Sequence, residues 1–165
     1  MKAVVVYESH WGNTAEIAQA IAAGIGPTAR ALSTAEASPA EVAGADLIVA
    51  GSPVVAFGLP SSRMLDSMRS SAAKAPRPPD LSTPSMRSWL ETLPAGRGRC
   101  AVFETRIRWS PGSATGAIGR GLSRAGYAPL AKPAKFIVTG TYGPLRPGET
   151  QRARAWGAEL AQAMG

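Results

Sequence analysis

Short apolar runs alternate along the chain with segments whose apolar residues recur every three or four positions. The first pattern is typical of buried parallel strands and the second of amphipathic helices. The apolar runs predict strands at residues 2–7, 28–32, 46–51, 99–105 and 136–140. The second pattern predicts helices at residues 14–25, 61–70, 85–93, 113–125 and 148–164, and a capping box at residues 38–41 begins a further short helix.

Strands that alternate with helices predict a single α/β domain on a parallel sheet, with helices on both faces and right-handed crossovers. The proline-rich residues 74–84 predict an exposed connection, and no internal repeat or second-domain boundary is visible. Ligands of such sheets bind beyond the carboxyl ends of the strands, where the winding direction reverses. The loops after residues 7, 51 and 105 are therefore the first places to look for a site.

Composition narrows the possible functions of the 165 residues. The chain has one histidine and one cysteine, so a zinc site would depend mainly on carboxylates. Cys100 begins an apolar stretch and is expected to be buried and structural. No apolar run reaches the length of about 18 residues that a membrane span needs, and the first one is too short for a signal peptide. We expect a cytoplasmic protein without membrane insertion.

The net charge of +7 is unevenly distributed. Residues 1–60 carry two basic and five acidic side chains, whereas the remaining 105 residues carry 16 basic and six acidic ones. This asymmetry predicts a basic face, which favours an acidic partner, a phosphate-bearing ligand or nucleic acid. Solvated arginines on an ordinary surface explain the same composition, because no basic run exceeds two residues.

The loop after the first predicted strand has the sequence Glu-Ser-His-Trp-Gly-Asn-Thr at residues 8–14 and leads directly into a helix. Successive amides at a helix N-terminus form a pocket for phosphate. Ser9, Asn13 and Thr14 add side-chain donors, and Gly12 permits close approach of the backbone. The loop contains no lysine or arginine, so neutral donors and the helix dipole would hold the phosphate. A helix cap without any ligand is the alternative explanation.

Residues 7–14 resemble the phosphate-binding signature of the flavodoxin family, Ser/Thr-x-Thr-Gly-x-Thr, with Trp11 where a threonine is common. The resemblance implies a short-chain, three-layer flavodoxin-like sandwich with a five-stranded parallel sheet in the order 2-1-3-4-5. It also implies FMN as the cofactor. The FMN contacts implied in this loop are Ser9, His10, Trp11, Gly12, Asn13 and Thr14.

Two later loops resemble the flavin-ring loops of the same family. The first is Gly-Ser-Pro-Val-Val-Ala-Phe-Gly at residues 51–58, and the second begins with Phe-Glu-Thr-Arg at residue 103. The ring contacts implied are Ser52, Pro53, Val54, Val55, Ala56, Phe57 and Gly58 in the first loop, and Glu104, Thr105, Arg106, Trp109 and Ser113 in the second. Residues 136–148 are also similar to a bacterial subgroup, with an unbroken fifth strand that lacks the insertion of long-chain flavodoxins.

Both ring loops have structural explanations as well. Val54, Val55 and Phe57 would extend the core if no ring packs against them. Arg106 and Arg108 would serve equally as a pair that docks a partner, with Trp109 as a surface anchor rather than a stacking residue. The sequence leaves these alternatives open.

Three functions are consistent with the sequence. The first is an FMN redox protein that exchanges electrons with a partner protein, through an acidic docking face of that partner, or with a small acceptor such as a quinone. The second is a flavin-free interaction or regulatory module, favoured by Trp11, Val54 and Val55. The third is a basic nucleotide or nucleic-acid binder, which the lack of a basic and aromatic stripe disfavours.

Overall fold

A parallel sheet forms the centre of the molecule in the computed structural model, which describes residues 1–55, 58–70 and 79–165. Its strands are β1 (Ala3–Tyr7), β2 (Arg30–Ser33), β3 (Leu47–Pro53), β4 (Arg99–Ile107), β5 (Ala128–Pro129) and β6 (Ala134–Val138). The helices are α1 (Asn13–Ile25), α2 (Pro39–Val42), α3 (Ser62–Ser70), α4 (Met86–Thr92), α5 (Thr115–Arg124) and α6 (Glu149–Met164). The predicted alternation of strands and helices is confirmed.

The sheet has the order β2-β1-β3-β4, and both β5 and β6 pair in parallel with the outer edge of β4. The predicted order 2-1-3-4-5 is thus confirmed, but the fifth position is filled by two short strands rather than by one unbroken strand at residues 136–140. Pro129 and Pro133 flank the interruption, and proline has no amide hydrogen with which to continue a ladder.

Helices cover both faces of the sheet. On one face, α1 and α6 bury Ile17, Ile21 and Leu160 against side chains of β1, β3 and β4. On the other face, Trp89 of α4 and Ile118 of α5 belong to a second buried cluster. The amphipathic pattern of the sequence correctly predicted the buried sides of α1 and α6.

The close crossing of α1 and α6 depends on two glycines. A Cβ atom on Gly157 would collide with the carbonyl group of Ile21, and one on Gly24 would collide with the carbonyl group of Arg154. The two backbones therefore approach more closely than larger residues permit. This packing fixes α1, which carries the candidate phosphate loop at its N-terminus.

Two central strands extend further than the apolar pattern predicted. β3 continues from Gly51 to Pro53, and β4 continues past Thr105 to Ile107. Parallel pairing continues at these ends, where Ser52 lies opposite Glu104. Pairing and burial outweigh the polarity of these residues, so the first residues of both predicted ring loops belong to the sheet.

The other predictions from the sequence concerned Cys100, the connection at residues 74–84, membrane spans and the location of the protein. Cys100 is buried, as expected, and its burial raises the pKa of the thiol. The predicted connection at residues 74–84 lies partly outside the described residues, and its residues 79–84 form no helix or strand. Within the described part of the chain, no helix combines the length and apolarity of a membrane span. The cytoplasmic location stays a prediction.

Glu149 holds the start of α6 against β6. Its side chain is 3% exposed and accepts hydrogen bonds from the amide of Ile137 at 2.7 Å, from Arg146 at 3.0 Å and from Arg152 at 2.8 Å. Burial opposes the charge, but the bonds from Arg152, Ile137 and Arg146 outweigh it and lower the pKa of Glu149 from 4.5 to about 2. The ionised carboxylate therefore stabilises the folded state.

We expect Glu149→Gln to lower the free energy of unfolding at pH 7 by about 2 kcal/mol, after allowance for the half-exposed arginines. A depressed pKa contributes stability above the unfolded value near 4.5, and this stability is lost as the pH falls toward 2. Denaturant unfolding at a series of pH values measures the difference, which should shrink over that interval. Glu159→Gln, on the exposed side of α6, is the control. Equal stability of wild type and Glu149→Gln at pH 7 would contradict this role.

Candidate functional site

A cavity of about 410 Å³ opens beyond the carboxyl ends of β1, β3 and β4. Its volume lies in the range typical of small-molecule sites. The sequence-predicted site residues that line it are Ser9, His10, Trp11, Asn13, Thr14, Pro53, Val54, Val55, Thr105 and Arg106. All three predicted loops therefore contribute to one cavity.

The turn between β1 and α1 is closed by a side chain. The Ser9 Oγ atom accepts hydrogen bonds from the amides of Gly12 at 3.2 Å and Ala15 at 3.3 Å. Gly12 caps α1 with a φ of 91°, a conformation that favours glycine. The amides of His10, Asn13 and Thr14 donate to no described residue. The turn is thus open at its tip, with backbone donors available to a ligand.

A pair of hydroxyl groups connects this turn to β4. The Thr14 and Thr105 Oγ1 atoms lie 2.8 Å apart, and both side chains are buried at the cavity. In such a pair only one hydroxyl donates to the other, so the accepting hydroxyl keeps its own hydrogen for a third group. The pair therefore contributes one further donor at the cavity.

Glu104 holds the second predicted ring loop in place through hydrogen bonds to residues of that loop. It is fully buried and accepts hydrogen bonds from Arg106 at 2.7 Å, Ser113 at 2.7 Å and the amides of Ala114 and Thr115 at the start of α5. Burial opposes its ionisation, but these bonds, led by that from Ser113, lower the pKa of the carboxyl group. Glu104 and Ser113 thus support the loop and do not line the cavity.

Several other predicted contacts also lie away from the cavity wall. Ser52 is buried, and its hydroxyl donates to the carbonyl of Pro53 at 3.1 Å. Gly58 pairs with Val55 in an isolated bridge. Gly12 lines a separate neighbouring hollow instead. Ala56 and Phe57 lie outside the described residues.

Trp109 is the largest departure from the predicted contact set. Its side chain is 82% exposed, and it lies in a turn in which the Ser110 amide donates to the Ile107 carbonyl. Ile107 and Ser110 line the cavity, but Trp109 between them does not. This placement favours the surface-anchor alternative over ring stacking.

The parts of the wall that come from α3 and from the loop after β6 were not predicted from the sequence. Met64, Ser67 and Met68 of α3 face the cavity, and the methionines are spaced by one helical turn. Tyr142 also lines it and packs edge-on against Trp11, with ring centroids 5.0 Å apart. The remaining unpredicted lining residues are Pro79, Ile107, Ser110, Val138 and Thr141. The methionine spacing indicates an apolar face, but the sequence does not say what that face meets.

Two buried nitrogen atoms of cavity-lining side chains lack a hydrogen-bond partner among the described residues. They are Nδ1 of His10 and Nε of Arg106. Leaving a buried polar atom unsatisfied costs about 1–3 kcal/mol. These atoms and the open amides together fit a polar ligand with an anionic end.

No protein-family model matches the chain, and no curated protein matches it. Solved structures do match it over almost its whole length. An archaeal flavodoxin superposes with a TM-score of 0.67 at 22% identity and covers 99% of both chains. Flavodoxin 2 from Bacillus cereus gives 0.69 at 16% identity, covering 98% of this chain and 99% of its own. A short-chain flavodoxin associated with a bacterial microcompartment gives 0.63 at 14%, covering 100% and 99%.

This chain has a flavodoxin-like fold. The cavity lies where a flavodoxin-like sheet changes its winding direction, since β2 and β3 lie on opposite sides of β1. That position is the general ligand-binding crevice of open α/β sheets. Because the identities are low, the comparison establishes the architecture, and any function must be argued from the cavity itself.

We expect Glu104→Gln to lower the free energy of unfolding by about 3 kcal/mol, because it leaves Arg106 as an unbalanced buried charge. Asp66→Asn, which breaks the exposed pair with Arg69, is the matched control and should cost less than about 1 kcal/mol. Denaturant unfolding of both variants at pH 7 measures the contrast. Equal, small effects would show that the Glu104 pair does not hold the loop.

Proposed function

We propose that this chain binds FMN in the cavity and acts as a single-domain redox protein. The observation that carries the proposal is the open turn between β1 and α1, whose amides at His10, Asn13 and Thr14 remain unused by the described residues. The rest of the cavity supplies apolar walls for a flat ring. The flavodoxin structures that share the fold support FMN as the ligand.

The phosphate end of FMN would lie on the β1–α1 turn. The three open amides favour an anionic group. The Ser9 oxygen accepts two amides in the turn, and its hydroxyl hydrogen is donated to none of the described residues. The N-terminal end of α1 adds a favourable partial positive charge. Uncharged donors of this kind bind phosphate well when solvent is excluded.

The ring would lie between apolar and polar walls. Val54 and Val55 after β3 and Met64 and Met68 on α3 provide the apolar surfaces. Arg106 provides a donor through its unsatisfied Nε atom. Glu104 lies 2.7 Å from the Arg106 guanidinium, so it balances much of the positive charge.

Bound FMN would supply the electron-transfer chemistry, and the protein would supply position and electrostatics. The chain's own residues exclude water through the valine and methionine walls and keep Arg106 in place through Glu104. No acid or base from the protein is required for the transfer of electrons. A protein that only positions the flavin and excludes water in this way would act as an electron carrier or as a small FMN-dependent oxidoreductase.

The partner proposed for this protein carries an acidic docking face. The net charge of +7 would attract such a partner and speed its association at low salt. Arg108 and the exposed Trp109 lie beside the cavity-lining Ile107 and Ser110, which makes this rim the proposed contact surface. A small acceptor such as a quinone is the alternative electron partner.

Reconstitution with FMN tests the proposal. The purified protein should be yellow, or become yellow on addition of FMN, and should release FMN on denaturation with a stoichiometry of one per chain. A colourless protein whose melting temperature does not respond to FMN would overturn the proposal in favour of an interaction module. Salt-sensitive retention on DNA without flavin would favour a nucleic-acid binder instead.

We expect Thr14→Ala to weaken FMN affinity by about 1–3 kcal/mol, which corresponds to roughly 5- to 150-fold in Kd. The variant removes one hydroxyl of the Thr14–Thr105 pair and leaves a buried group without its partner. Fluorescence titration of the apoprotein with FMN measures the change. Thr92→Ala, on the far helix α4, is the control. Unchanged affinity in Thr14→Ala would remove this hydroxyl from the site.

We expect Trp109→Ala to leave FMN affinity and the quenching of flavin fluorescence unchanged, because the side chain is exposed and lies off the cavity wall. The same titration reports both quantities. A marked loss of quenching would instead place the Trp109 indole on the ring, with the turn at residues 107–110 closing over the ligand.

A further inference from the structure

A buried carboxylate and imidazole lie directly at the phosphate turn. Glu8 is 2% exposed and His10 is 5% exposed, and His10 Nε2 lies 2.7 Å from Glu8 Oε2. The other carboxylate oxygen, Oε1, accepts the amide of Met86 at 2.8 Å. The Nδ1 atom of His10 is buried, has no partner among the described residues and belongs to a residue that lines the cavity.

These bonds restrict the protonation states of the pair to two. In the first, the Glu8 carboxylate accepts from Nε2–H, and Nδ1 carries a lone pair. In the second, the pair holds one more proton, and Nδ1 carries a hydrogen. This is so whether the proton shared between His10 Nε2 and Glu8 Oε2 lies on the imidazole or on the carboxylate. The first state has a net charge of −1 with an acceptor on Nδ1, and the second is neutral with a donor on Nδ1.

Only the second state suits an anion in the cavity. A lone pair on Nδ1 would face phosphate oxygens that also carry lone pairs, whereas an N–H group would donate to them. We propose that the Glu8–His10 pair takes up one proton from solvent when a phosphate monoester binds at the β1–α1 turn. The inference rests on the proposed function, which puts the phosphate of FMN in that turn.

The charges around His10 favour this uptake. Besides Glu8, the acidic residue Asp80 is held beside His10, because its amide donates to the His10 carbonyl at 2.7 Å. Hydrogen bonds from Ser82, and to a smaller extent the His10 charge, lower the pKa of Asp80. Arg106 is the basic group on the same cavity wall, but Glu104 pairs with it. Within the turn, the Glu8–His10 pair can thus present an added proton to the cavity through Nδ1 of His10.

Isothermal titration calorimetry of the apoprotein with FMN tests the proposal. Titrations at pH 8.5 in two buffers of different ionisation enthalpy give the number of protons taken up, because FMN phosphate is fully dianionic in water at that pH. We expect about one proton per FMN bound, and an affinity that falls about tenfold per pH unit on the alkaline side. Riboflavin, which has the same ring without the phosphate, should bind without proton uptake.

Two variants separate a proton-binding role from a structural one. In Glu8→Gln the amide oxygen still accepts from Met86, and the NH₂ group donates to Nε2, which leaves Nδ1–H permanently in place. We expect this variant to bind FMN with no proton uptake and to keep its affinity at alkaline pH, where the wild type loses it. His10→Gln should bind more weakly near neutral pH and show no proton uptake. Glu16→Gln, which removes an exposed charge from the first turn of α1, should keep the wild-type uptake.

The outcomes distinguish the inference from the proposed function. FMN binding to the wild type without proton uptake overturns the inference alone. The inference alone is also overturned if riboflavin and FMN cause equal proton uptake, or if the FMN affinity of Glu8→Gln depends on pH in the same way as that of the wild type. Failure of the wild type to bind FMN overturns the proposed function and this inference with it.

Discussion

The side chain of Ser9 is the feature on which the candidate site depends. Its oxygen accepts the amides of Gly12 and Ala15, so the turn after β1 is held without using the amides at its tip. If carbonyl groups of the turn accepted the amides of His10, Asn13 and Thr14 instead, these amides could not donate to a ligand. The packing of α1 on α6 keeps that turn in position.

Two buried glutamates fasten the loops around the cavity in the same way. Glu8 follows β1 and accepts the first amide of α4, and Glu104 lies in β4 and accepts the first amides of α5. Each also holds a cavity-lining side chain, His10 in one case and Arg106 in the other. A carboxylate that binds both a helix start and a functional side chain fixes the position of that side chain before any ligand arrives. Such preorganisation reduces the entropy that binding must overcome.

The sequence predicted the architecture well because strand and helix patterns are local. The apolar runs located the central strands, and the capping box at residues 38–41 located the start of α2. The pattern ended too early at the carboxyl ends of β3 and β4, where Ser52 and Arg106 are polar and yet paired and buried. It also missed a short additional strand at the sheet edge, β5 (Ala128–Pro129), which precedes the predicted one.

The candidate site was predicted in outline and missed in its supporting contacts. A motif identifies which loops meet, but not which of their side chains face the ligand. Trp109 faces solvent and Glu104 faces the start of α5, and neither direction follows from spacing. Glu8 was not predicted, because its role depends on Met86, which lies far along the chain. The contribution of α3 depends in the same way on how that helix packs over the cavity.

A crystal structure of the FMN complex tests the central claim most directly. We expect a phosphate group at the N-terminus of α1 that accepts hydrogen bonds from the Ser9 hydroxyl and from the amides of His10, Asn13 and Thr14. A complex in which the flavin binds elsewhere, or in which these amides remain without a phosphate partner, would contradict it.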